Sequence, residues 1–100
     1  MAQATVEITQ SGPAGQIIYR EDRIAIRFDW EFAGTERALA FVYGLPARAW
    51  DERHPGARGR QSEIYDMVCA EIIRQKAQGS VCEIDLVGGV ITVMRPSSLG

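Results

Sequence analysis

One histidine, His54, is the whole supply of imidazole in this 100-residue chain. Histidine is the side chain most often used to move protons near neutral pH, so a Ser-His-Asp arrangement must be built around it. Ser62 stands where a helix would be capped, Ser11 and Ser80 fall at element ends, and Ser97 and Ser98 lie in a terminal tail. None is framed by the G-x-S-x-G pattern that lifts a nucleophile onto a sharp turn. Metal ligands are as sparse. Asp51, Glu52 and His54 are neighbours, but zinc needs three or four ligands at defined spacing. Cys69 and Cys82 lack C-x-x-C spacing and read as small hydrophobes, one on a helix and one on the inner face of a strand, able to approach each other in space. The expectation is no metal and no cofactor, with catalytic residues unknown and the balance against an enzyme. Two carboxylate pairs, Asp29/Glu31 and Glu83/Asp85, have i,i+2 spacing. On one strand face that is about 6.6–7 Å, near the separation of the paired acids in glycosidases. Any solvated strand face shows the same pattern, and Arg23 and Arg27 beside the first pair supply simple charge balance.

Residues 46–61, PARAWDERHPGARGRQ, are the most suggestive stretch. Arg48, Arg53, Arg58 and Arg60 face only Asp51 and Glu52, so the segment carries a net +2 while the rest of the chain carries −4. It leads into a helix N-terminus, where free backbone N–H groups favour an anion. Arginine forks bind phosphate or carboxylate bidentately, and Trp50 offers a stacking face. Arg48, Trp50, Arg53, His54, Arg58 and Arg60 are therefore the candidate anion site, for a small anionic ligand or a nucleic acid. The Gly-Lys-Ser/Thr ending of a phosphate-binding P-loop is missing. The plainer alternative is a solvated loop in a chain with 10 Arg and 1 Lys, a ratio that points to a GC-rich bacterial genome. Over residues 38–95, the order strand, short helix, Gly56-Ala57-Arg58-Gly59, longer helix, strand, strand resembles the surroundings of the GxxG loop in KH RNA-binding domains. That resemblance implies RNA contacts at the glycine-bounded loop. The chain departs from it at Ser62, a polar residue where the family has an apolar helix position.

The elements that would position these groups follow from periodicity. Val6 and Ile8 alternate with Thr5, Glu7 and Thr9 in a short strand, and Ser11–Gly15 breaks the chain. Ile17–Arg20 is β-branched and extended, and Glu21-Asp22 turns it. Ile24, Ile26, Phe28, Trp30 and Phe32 then occupy every second position between charged residues, which places five large apolar groups on one face of a strand over 23–32. At roughly 33 Å that strand outruns a domain of this size, so a bend, a bulge or a partner is expected at one end. Leu39, Phe41 and Tyr43 alternate on the next strand, and Pro46 opens a short helical turn through Glu52. Ser62 is the expected N-cap of a helix from Glu63 to about Gln78, with Gly79 as its C′ residue. The apolar arc of that helix runs from Met67 to Ile73 over about 240°, interrupted by Glu71, which exceeds the roughly 100° one sheet requires. Met67, Glu71 and Ile73 are therefore the candidate interface. Gly88-Gly89 closes a final hairpin, pairing Val87 with Val90, Leu86 with Ile91, Asp85 with Thr92 and Ile84 with Val93.

These elements predict an α+β fold: a mostly antiparallel sheet of five or six strands with one main helix on one face, in the order β-β-β-β-short α-α-β-β. The expected core is Ile24, Ile26, Phe28, Trp30, Phe41, Ile64, Val68, Ile72, Ile84, Leu86, Ile91 and Val93. Length is right for one domain over 1–100, with 96–100 as a frayed tail. With 46% hydrophobic residues, 24% charged residues and a net charge of −2, the composition excludes disorder. No apolar run spans a membrane, and MAQATVEITQ lacks the basic and apolar regions of a secretory signal. The expectation is a soluble cytoplasmic interaction domain, non-enzymatic, acting as a homodimer or in a small complex. The alternative is an anion or nucleic-acid binder using loop 46–61.

Overall fold

The β-branched and aromatic runs of the first half pair as a meander. In the computed structural model, which describes residues 3–96, strands β1 (Thr5–Ser11), β2 (Ala14–Glu21), β3 (Ile24–Phe32) and β4 (Ala38–Tyr43) follow one another antiparallel. Helix α1 (Ala47–Arg53), a 3-10 turn (Pro55–Ala57) and helix α2 (Gln61–Lys76) come next, and β5 (Val81–Asp85) and β6 (Val90–Met94) close the chain. The order across the sheet is β1-β2-β3-β4-β6-β5, so the last strand inserts beside β4 and β5 becomes an edge. This is the α+β architecture expected, with six strands. Ser97 and Ser98, assigned to the frayed tail, lie outside the described residues.

The alternation in β3 sets the layering. Ile26, Phe28 and Trp30 are buried and Arg27, Asp29 and Glu31 are exposed. Their cross-strand partners Tyr19, Ile17 and Val42 lie on the same face, followed by Ile91 and Val93 on β6. Helix α2 covers this face with Ile64, Tyr65, Val68 and Ile72. Each such side chain contributes about 1.5–3 kcal/mol on burial. Trp30 crosses Gly15, its pairing partner, and its indole N–H donates to the Thr9 carbonyl at 2.9 Å. A Cβ at residue 15 would collide with that carbonyl oxygen, so only glycine fits. The turn after β2 uses Asp22 at φ 48°, a left-handed conformation that aspartate tolerates better than most residues.

Several local expectations are corrected. Phe41 is not a core residue: β4 is apolar on both faces, and the pairing Trp30↔Val42 turns Val42 inward and Phe41 outward with Tyr43. The length of β3 is matched by β2, which pairs with it from Ile24 to Glu31 without a register shift, so the expected bulge is not in this strand but in the β4–β6 ladder, between Ala38 and Ala40, and the far end of β3 leaves Phe32 51% exposed. The last hairpin is offset: Asp85 pairs with Val90 and Ile84 with Ile91, leaving a four-residue loop, Leu86–Gly89. Asp85 closes it, accepting the Gly88 N–H on its carboxylate at 3.0 Å and the Gly89 N–H on its carbonyl at 2.7 Å. The offset is two residues, so every side chain keeps its expected face. Ser62 is not the N-cap. Helix α2 begins at Gln61 behind Arg60, whose carbonyl accepts the Ile64 N–H at 3.0 Å, and no side chain caps it. Its C-cap is Ala77, so Gly79 sits one residue beyond the C′ position.

Candidate functional site

Folding engages several of the groups that made residues 46–61 look like an anion site. Trp50 is 1% exposed. Its indole N–H donates to the Ala57 carbonyl at 2.9 Å, and its ring meets Tyr65 edge-on at 5.7 Å and His54 at 4.7 Å. No face is left for stacking a base. Arg60 forks onto Glu21 with bonds of 2.9 and 2.7 Å and onto Glu63 at 2.7 Å. The guanidinium holds the Glu21 carboxyl at about 2, with the Tyr19 hydroxyl helping from 2.5 Å. Burial, then Glu21, pushes the Tyr19 phenol up to about 12. This cluster ties the end of β2 to the start of α2, and it is structural. The Gly59 N–H, which the GxxG comparison would offer to a phosphate, donates instead to the Asp51 carboxylate at 2.8 Å. Arg48, Arg53 and Arg58 remain exposed.

His54 is half-buried beside Trp50, and burial, then the Arg53 charge, lowers its pKa from 6.5. Because the folded chain holds this imidazole neutral, the unfolded chain takes up its proton first as pH falls below about 6.5. Stability should then drop with falling pH, starting at the unfolded value and ending at the lower folded one. Glu21 and Glu71, held at about 2, lose their contribution only below the unfolded carboxylate value of 4.5. Melting followed by circular dichroism from pH 7.5 to 5.5 should show a falling midpoint in the native chain. His54→Gln should abolish that slope; an equal slope in both proteins would assign it elsewhere.

The wide apolar arc of α2 is largely absorbed by the fold. Met67 packs half-buried against the core and Ile73 is half-buried. Glu71 is held by Arg74 at 2.8 Å and by Gln75 at 2.9 Å. Gln75 also donates to the Val6 carbonyl on edge strand β1 at 3.0 Å. Cys69 and Cys82 meet across α2 and β5, where the hydrogen bond to Cys82, then burial, raises the Cys69 pKa and the same bond lowers that of Cys82.

A partly exposed aromatic pair lies on the other side of the sheet. Strand register aligns two rows across β3-β4-β6-β5. One reads Asp29, Tyr43, Val90, Asp85 and the other Glu31, Phe41, Thr92, Glu83. Each row has a carboxylate at either end and an aromatic inside. The Phe41 and Tyr43 ring centroids lie 6.4 Å apart and Tyr43 is 40% exposed, while Val81, 55% exposed, stands farther along β5, two residues before Glu83. The two carboxylate pairs seen in the sequence thus share one face. Three strand spacings, about 14 Å, separate them, too far for joint acid–base catalysis. Sequence reading missed the aromatics because it placed Phe41 inside.

Among the described residues no three His, Cys, Asp or Glu side chains converge as a metal site. Among the described residues no helix is long and apolar enough to cross a membrane. No family model, curated protein or solved structure matches the chain.

Proposed function

We propose that the chain is a non-enzymatic protein-interaction domain that docks a basic segment of a partner protein on the open face of its sheet. The observation that carries this is the double row of carboxylate–aromatic–carboxylate across β3-β4-β6-β5. Arginine is the side chain that matches it, since its guanidinium stacks on aromatic rings while its N–H groups reach carboxylates. Four carboxylates repel nucleic-acid phosphates. A two-fold copy of the same face would set carboxylate against carboxylate, which favours a foreign partner over a homodimer.

Titration of 15N-labelled protein with an arginine-rich dodecapeptide tests this. Shifts confined to β3, β4, β5 and β6 are expected, fading as salt rises. Phe41→Ser with Tyr43→Ser should weaken binding about tenfold, because charge without the stacking surface remains. Unchanged binding by that double variant, or a salt-resistant dimer of the chain alone in sedimentation equilibrium, would refute the assignment.

A further inference from the structure

At the end of the molecule away from α1, helix α2 runs out before the sheet does. There the inner faces of β1 to β4 and β6 and the last turn of α2 enclose a half-open cavity of about 250 Å³. Its floor is Ile17, Trp30, Val42 and Val93, all buried, and Phe32 stands at its mouth. The polar atoms around it are already engaged. The Trp30 indole N–H is bonded to Thr9, and the Gln10 side-chain amide donates to the Gly12 carbonyl at 2.9 Å. No buried side-chain polar atom among the described residues lacks a partner, so the cavity asks nothing polar of an occupant's body. Lys76, the only lysine of the chain, also lines it. Among the described residues Lys76 joins no ion pair, whereas Arg60 and Arg74 on either end of the same helix both do.

We propose that this cavity is a binding site for a medium-chain carboxylic acid, with the hydrocarbon on the Ile17–Trp30 floor and the carboxylate at Lys76. Open apolar volume in so small a core costs stability unless something fills it. A methylene group occupies about the volume of one water molecule, roughly 30 Å³, so the cavity takes a chain of about eight carbons. Lys76 supplies the one charge that discriminates among head groups. The preference it gives is modest, because the pair is exposed and the C-terminus of α2 carries partial negative charge.

The test uses the whole chain, reductively methylated with 13C so that Lys76 and the terminal amine alone report, and titrated with C4, C6, C8, C10 and C12 carboxylates. Affinity should rise about fourfold per methylene up to about C8 and then level off, as each CH2 stops gaining buried surface. Octanoate should move the Lys76 methyl signal and the Trp30 indole N–H resonance, leaving that of Trp50 in place. Octanol should bind about threefold more weakly, and Lys76→Met should erase that difference. Ala40→Leu, which fills the cavity from β4, should lower octanoate affinity at least tenfold. Absence of chain-length dependence, an unmoved Trp30 signal, or a Lys76→Met protein that still prefers octanoate to octanol would overturn the proposal. The last two readings stand even if Ala40→Leu does not fold.

Discussion

Replacing Trp50 by alanine is expected to remove about 3–5 kcal/mol of stability, lowering the melting temperature by on the order of 12–40 °C in a domain this size. The side chain fills the space between α1, the 3-10 turn and α2, with its N–H bonded to Ala57 and its ring edge-on to Tyr65. Alanine leaves a cavity and removes one of the two hydrogen bonds of the Ala57 carbonyl, which still accepts the Arg60 N–H at 3.0 Å. Total stability on the order of 5–15 kcal/mol makes this a large fraction of the whole. Trp50→Phe keeps most of the packing and loses the indole N–H, so it should cost about 1–2 kcal/mol. Urea unfolding monitored by circular dichroism separates the two. A Trp50→Ala protein with an unchanged midpoint would return Trp50 to the surface and reopen the stacking role.

The second large effect lies at Phe28. It is fully buried beneath α2, paired across the sheet with Ile17, with its ring centroid 5.3 Å from that of Tyr65 in an edge-to-face contact. Gly44 leaves it no freedom to move: a Cβ there would strike both the Phe28 ring and the Tyr65 hydroxyl. Surroundings this tight cannot collapse into the void left by Phe28→Ala, so the loss should again be about 3–5 kcal/mol. The denaturant midpoint should fall while the slope stays constant, because the surface exposed on unfolding barely changes. No change in midpoint would mean that the even-numbered residues of β3 do not face the core.

The parts of the fold that were legible in the sequence are those where one periodicity had one interpretation. Ile24 to Phe32 alternate with mostly charged residues over nine positions, and no other phase is compatible with burial of one face. Phe41 failed because Ala38–Tyr43 is apolar on both faces, so the inward side is chosen by pairing with Trp30, a tertiary fact. Trp50 failed for a related reason. Arginines at 48, 53, 58 and 60 mark the segment as solvated, yet the seven-residue helix α1 carries Arg48 and Arg53 outward while turning one large ring inward. The hairpin offset at Asp85 depends on a side chain accepting a backbone N–H, which polarity patterns do not encode. Of the docking face, both carboxylate pairs were visible; their assembly on one surface needed β6 to insert between β4 and β5.

That insertion has an entropic consequence. Every other strand pair is joined by a short connection, but the β4–β6 ladder brings residues 38–43 against 90–94 across almost half the chain. Closing such a loop costs about 2 kcal/mol more chain entropy than closing a hairpin. The bonds best placed to offset it converge at that junction. Gln61 donates to the Leu45 carbonyl at 3.1 Å and the Leu86 carbonyl at 2.9 Å, and Tyr65 to the Gly89 carbonyl at 2.9 Å. The first two turns of α2 therefore act as the clasp that joins two halves of the chain which sequence distance keeps apart.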